Sequence, residues 1–304
     1  MGIAILGGIL DSLTSSPDAA SSMPTPPGAD TPTEKPPSRL PSKFNACVRT
    51  SKSAKRITNE LGKYQGDLTI YENENLKPTQ EADVILIGCK PQMVEGVLKA
   101  EGMKEAVAGK LLLSICAGVP GEQIRGVLYG DTVPEGGATI VRAMPNTAAA
   151  VRESMTVVAT STPPLPTETS SLITWIFSRI GRVTYLPPST MDACTALCGS
   201  GPAFAALILE SMAAGAVAMG VPRDDAYMMA AQTMRGTTGL VLEGGEHPAI
   251  VRDKVTTPGG CTIGGLLVLE EGSVRGTVSR AVREATVVAG QLGQGKQGVN
   301  GTRH

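Results

Sequence analysis

Histidine is nearly missing from this 304-residue chain, with only His247 and His304 present. A zinc site therefore has almost no imidazole to draw on, and no metal is predicted. Aromatic residues make up 3% of the chain, so Ala, Gly, Val and Leu must fill the core. Small side chains suit packed helices and a parallel sheet better than a β-sandwich. Charge is scarce too, at 18% of residues with a formal net charge of −1. Without a strong field, neither nucleic acid nor an anionic membrane is predicted as a partner. No apolar run reaches the ~18 uninterrupted residues that a transmembrane helix needs. The apolar start lacks the basic segment and cleavage site of a secretory signal, and MGIAIL lacks the sixth-position Ser or Thr of a myristoylation signal.

Cysteine occurs six times, as Cys47, Cys89, Cys116, Cys194, Cys198 and Cys261, with no CxxC pair. Scattered mostly through apolar runs, these read as reduced core residues of a cytoplasmic protein. Cys194 and Cys198, one helical turn apart, also admit a metal or redox pair.

What is present is length enough for two domains and a clear order along the chain. MGIAILGGILDSL can be a strand with a glycine turn or a helix. Residues 12–42 are dense in Pro, Ser and Thr and cannot bury enough apolar surface to offset ordering, which predicts a mobile surface insertion. FNACV, DLTIYE, ADVILIGCKP, KLLLSICAG, TIVRAMP and SMTVVATS then read as strands, and helical stretches separate the earlier ones. Continuous apolar strands alternating with helices predict an α/β fold with a parallel sheet covered on both faces. STPPLP marks a boundary near residue 163, and residues 164–293 read as an all-helical second domain. That half is rich in Ala, Met and Gly, and its apolar surface predicts a homodimer or higher homo-oligomer. Residues 294–304 read as a flexible tail.

Four stretches place small and polar residues where a backbone would meet a ligand. GCKPQ and SICAG each end an apolar strand, and MPNTAAAVRE starts at the end of another. In an open α/β sheet ligands bind at such carboxyl ends. Lys90 can face a phosphate or a ribose there, although Lys-Pro is also ordinary turn chemistry. The fourth stretch, KVTTPGGCTIGGLLVLEEG, puts a glycine turn before a helix. The free N–H groups of that helix start suit an anion such as a carboxylate, and the Thr262 hydroxyl can donate to the same ligand. The competing reading is a plain helix cap formed by threonine.

The runs LCGSGPAFAALILESMAAGAVAMGVPRDDA and HPAIVRDKVTTPGGCTIGGLLVLEEGSVRGTVSRAVREA resemble the pyrroline-5-carboxylate reductases, the fungal members above all. The resemblance extends from about Phe44 to Gly293 and includes GCKP, SICAG and MPNTAAAVRE in the family's order. It implies a Rossmann-type doubly wound sheet over residues 1–163 that binds a dinucleotide, followed by a helical substrate and dimerisation domain. It also implies reduction of the C=N bond of 1-pyrroline-5-carboxylate to L-proline, the last step of proline biosynthesis. Thr262 matches the threonine that hydrogen-bonds the substrate ring nitrogen, and Thr257, Gly259, Gly260 and Cys261 complete the substrate set. Cofactor contacts are implied for Asn75, for Gly88, Cys89, Lys90 and Pro91, and for Ile115, Cys116 and Ala117. Arg49, Thr50, Ser51 and Lys52 fall where the adenosine ribose is read. Hydroxyls and cations there, with no acid among them, predict NADP in preference to NAD.

The chain departs from the family at its start, where no G-x-G-x-x-G occurs. The best match puts Met1-Gly2 on the motif's final Met-Gly, which leaves Gly2 as its one phosphate-loop glycine and makes residues 3–13 the first helix. The first strand, central in such a sheet, is then missing, and its neighbours are expected to carry unpaired backbone groups. A truncated, weakly active or non-catalytic oligomerising form of the enzyme is the alternative function.

Overall fold

The computed structural model describes residues 1–14, 37–64, 66–294, 296 and 298–302. Most of the 12–42 stretch lies outside them, and residues 12–14 belong to the first helix. Helix α1 spans Gly2–Thr14, so the helical reading of the opening residues holds. There follow β1 (Phe44–Val48), α2 (Ser51–Leu61), β2 (Leu68–Glu72), α3 (Leu76–Glu81), β3 (Val84–Ile87), α4 (Val94–Leu98) and α5 (Met103–Ala106). Then come β4 (Leu111–Ser114), α6 (Gly121–Tyr129), β5 (Thr139–Met144), β6 (Ser154–Ala159), α7 (Thr167–Ser178) and β7 (Gly181–Leu186).

The strands form two separate sheets, β1-β2 and β3-β4-β5-β6-β7. Within them β1 and β2 are parallel, as are β3, β4 and β5. Among the described residues, β1 and β3 each have no strand partner on their second edge. The sequence predicts such unpartnered edges; the division into two sheets is what the structure adds. Helix α1 bridges it: Ile5 and Ile9 pack in one cluster with Leu113, Val141 and Phe177, whereas Leu10 packs with Ile57, Leu61 and Tyr64 beside β1. Asp11 secures the helix end, its carboxylate accepting from Lys63 Nζ at 2.8 Å, from the Tyr64 hydroxyl and from Arg152. Gly8 permits the close approach on the other side, because a Cβ there would stand 2.7 Å from the Arg179 carbonyl oxygen.

Two features of the sheet differ from the sequence reading. Strand β6 runs antiparallel to β5 because the short Pro145–Glu153 connection cannot make the crossover that a parallel partner needs. The boundary near residue 163 falls inside the sheet-bearing part, since α7 and β7 follow it and β7 pairs in parallel with β6. RVTYL is half-buried with mixed polarity, so it lacks the apolar run that marks the other strands. At its start Gly181 has φ 146°, and a Cβ would fall 2.0 Å from the Ser154 carbonyl oxygen.

Past Pro187 the chain is helical: α8 (Met191–Cys194), a π-helical turn over Thr195–Ser200, α9 (Gly201–Ala218), α10 (Arg223–Leu242), α11 (Pro248–Lys254), α12 (Cys261–Glu271) and α13 (Val274–Gly293). This half meets the sheet through α8 and α13. Met191 and Cys194 pack on Met144 and Val157, and Gly118, with φ 71°, lies against Gly293. The tail reads as flexible from sequence, but its described part returns to α13, where Gln291 Nε2 donates to the Gly301 carbonyl at 3.2 Å and Thr302 bonds the Glu284 carboxylate.

Candidate functional site

The implied cofactor residues stand at the carboxyl ends of parallel strands. Arg49 and Thr50 join β1 to α2, where Thr50 Oγ1 caps the helix by accepting from Ser53 N at 3.3 Å. Asn75 opens α3 after β2, and its carbonyl accepts from Thr79 N at 3.2 Å. Gly88, Cys89, Lys90 and Pro91 leave β3, and Ile115, Cys116 and Ala117 leave β4. The β3–β4 register, Ile87 opposite Ser114, brings the last two groups side by side. Gly2 begins α1 and is exposed. The sheet split thus puts the ribose-end residues on one sheet and the remaining strand ends on the other, with α1 across both.

One neighbour escapes the sequence reading. Ser51 Oγ donates to Glu72 Oε2 at 2.6 Å, because the register sets Glu72 beside Val48. An acid does stand at this end, against the sequence argument that none does. Arg49 and Lys52 have no ion-pair partner among the described residues. A second missed residue is Arg142 on β5, buried and 3.9 Å from Asp192 of α8. Burial pushes its guanidinium below the usual range and Asp192 opposes the shift. It marks the joint between the sheet and the helices.

The substrate set lies elsewhere. Thr257, Pro258, Gly259 and Gly260 form the turn before α12, with Cys261 and Thr262 in its first turn. Gly259 has φ 69°, which favours glycine, and a Cβ on Gly260 would stand 2.5 Å from Thr257 Oγ1, so a side chain there would displace the Thr257 hydroxyl. The start of α12 has no side-chain cap, and neither Thr257 nor Thr262 spends its hydroxyl on a hydrogen bond among the described residues. That disfavours the cap reading, in which a threonine oxygen would accept from a helix N–H. No hydrogen bond or ion pair joins this turn to the strand ends among the described residues.

A family model described as pyrroline-5-carboxylate reductase dimerisation matches residues 188–292. One described as NADP oxidoreductase, coenzyme F420-dependent, matches residues 38–118. Pyrroline-5-carboxylate reductase of Lophium arboricola is 62% identical over 309 residues, covering 100% of this chain and 93% of the relative. The chain belongs to the pyrroline-5-carboxylate reductase family. The reductase of Neurospora crassa is 53% identical, over 100% of this chain and 94% of its own. The reductase of Coxiella burnetii shares the fold, with a TM-score of 0.74 at 24% identity over 95% of each chain. That of Plasmodium falciparum, solved with NADP bound, has a TM-score of 0.68 at 24% identity over 83% of this chain and 98% of that one. As a family member the chain is an NAD(P)H-dependent oxidoreductase of the last step of proline biosynthesis. Full-length identity to reductases favours the enzyme over the non-catalytic alternative.

The residues present fit this cofactor at two places. Arg49 and Lys52, without an ion-pair partner among the described residues, make a cationic set for a phosphorylated ribose beside Thr50 and Ser51, whose hydroxyls are engaged by Ser53 and Glu72. The small residues after β3 and β4 allow the close approach of a flat ring. The chain carries no G-x-G-x-x-G turn at its start.

Proposed function

We propose that the turn before α12 holds the imine substrate and that the strand ends hold NADP, in a homo-oligomer working in the cytoplasm. One observation carries the substrate reading: the uncapped start of α12 behind two glycines, with two threonine hydroxyls left over among the described residues. The backbone N–H groups around Gly260, Cys261 and Thr262 bind the substrate carboxylate, as a helix start favours negative charge. The Thr262 hydroxyl donates to the ring nitrogen and fixes the plane of the imine. Thr257 and Gly259 shape the turn around the carboxylate. When bound, nicotinamide would supply a hydride to the imine carbon, the ring nitrogen ending protonated, and no strong base is needed. Orientation and fixed donors supply most of the rate. Arg49 and Lys52 favour a 2′-phosphate, whereas Glu72, already engaged by Ser51, is the group that would take a 2′-hydroxyl.

The oligomer is supported by the helices themselves. Helix α12 buries no residue and α9 buries only Ala213, while Leu207, Met212, Met228, Leu267, Val268 and Leu269 face outward. A monomer rarely exposes so much apolar surface. The helical run Pro188–Ala218 is long and apolar enough to cross a membrane. Its place within the match to a dimerisation domain, with Met191, Cys194 and Ala196 buried, favours a second copy as the cover. The cytoplasmic reading is supported by six cysteines that are all free thiols. The test is oxidation of NADPH, followed by absorbance, with pyrroline-5-carboxylate and the full chain, alongside light scattering. Turnover by an oligomer is expected; a monomer, or an oligomer that oxidises no NADPH, sinks the reading.

A further inference from the structure

The β3–β4 ladder ends with Ile87 opposite Ser114, where Ile115 N donates to the Ile87 carbonyl at 3.0 Å. Cys89 and Cys116 each follow two residues beyond that pair, and both pack in the cluster around Ile87 and Leu112. Cys116 Sγ lies 3.3 Å from the Cys89 carbonyl oxygen and 3.5 Å from that of Ile87. Cys89 is half-buried and reachable, whereas Cys116 is buried behind it.

We propose that Cys89 and Cys116 form a peroxide-oxidisable dithiol that closes to a disulfide across the β3–β4 strand ends. The reactive member is identified by its surroundings. The neighbouring Cys116 side chain lowers the Cys89 thiol to about 7 against the desolvation of burial, while Cys89 and burial together raise the thiol of Cys116. A thiolate with an accessible face and a neighbouring thiol is the arrangement of a redox-sensitive cysteine. In the first step the Cys89 thiolate attacks hydrogen peroxide, breaks the O–O bond and becomes a sulfenic acid. The departing hydroxide takes a proton and leaves as water. In the second, the sulfur of Cys116 attacks that of Cys89, the S–O bond breaks, and hydroxide leaves with the Cys116 proton as a second water. Two thiols lose two electrons and one peroxide gains them.

The pair sits among the residues assigned to NADP, so the cross-linked form is expected to bind NADPH more weakly; that consequence rests on the cofactor reading, and the cross-link does not. The full chain is treated with hydrogen peroxide in small molar excess, quenched with catalase, unfolded, alkylated and digested without reduction. Mass spectrometry is expected to show the peptide Leu111–Arg125 joined to the one carrying Cys89, and thiol titration to fall by two of six. Dithiothreitol should restore both thiols, and Cys89→Ser and Cys116→Ser should each abolish the joined peptide. Alkylation of both residues after oxidation, or a Cys194–Cys198 link in their place, overturns the proposal. A cross-link that leaves NADPH titration unchanged upholds the dithiol and counts against the cofactor placement.

Discussion

In the sheet half, β4 is buried at all four positions, with Leu112 and Leu113 fully inaccessible and Ile173, Phe177 and Ile180 closing over one face. In the helical half, α12 carries the apolar run Leu266–Leu269 and buries nothing, with Leu267 at 56% and Val268 at 65% exposure. Apolar runs thus have opposite outcomes in the two halves. A parallel sheet brings its own cover, because each crossover lays a helix on a face. Helices joined end to end by short turns have no such obligation, and their outer stripes stay open until another surface arrives. The difference separates what one chain stabilises alone from what it shares.

The largest expected effect strikes the self-contained half. Gly181→Ala would drive a Cβ into the Ser154 backbone at a φ that only glycine adopts readily, detaching β7 from β6. A loss of about 4 kcal/mol or more is expected, read as a collapse of the melting temperature. An unchanged melt would deny that the sheet closes its core through β7. Next, Thr262→Ala is expected to lower kcat about a hundredfold, the scale of one lost fixed donor, with NADPH affinity and melting unchanged. Equal kcat in the mutant removes Thr262 from the reaction.

A pair of charges on the open half, Leu267→Glu with Val268→Glu, should weaken self-association by about 2 kcal/mol or more, seen as a shift toward monomer on light scattering. The sheet of that monomer should keep its far-UV signature. An unaltered assembly would mean that this face of α12 is not covered. The smallest effect belongs to Asp11→Ala, which frees α1 from Lys63, Tyr64 and Arg152 at the seam of the two sheets. With Lys63 and Arg152 mostly exposed, about 1 kcal/mol is expected in denaturant unfolding.

Much of this was legible before any coordinates. ADVILIG and KLLLSI announce parallel strands by unbroken apolar runs, and the missing glycine motif correctly predicts that the opening residues form a helix and that neighbouring strands lack a partner. Gly259 and Gly260 are legible as a turn because few contexts need two glycines before a helix. Strand β7 was hidden, since half-exposed strands carry arginine and threonine and lose the apolar signature. Glu72 was hidden for another reason: it is 21 residues from Ser51, and only the β1–β2 register joins them.

The sequence by itself determined the order of strands and helices, the family and the glycine turn before α12, because periodicity, small residues and backbone freedom are local properties of the chain. Tertiary structure alone decided that Cys116 Sγ lies against the Cys89 carbonyl, that Arg142 is buried beside Asp192, and that α12 keeps Leu267 and Leu269 exposed. Those facts depend on strand register and on which surfaces find a cover. Both are set by contacts between segments far apart in the chain, which no window of sequence contains.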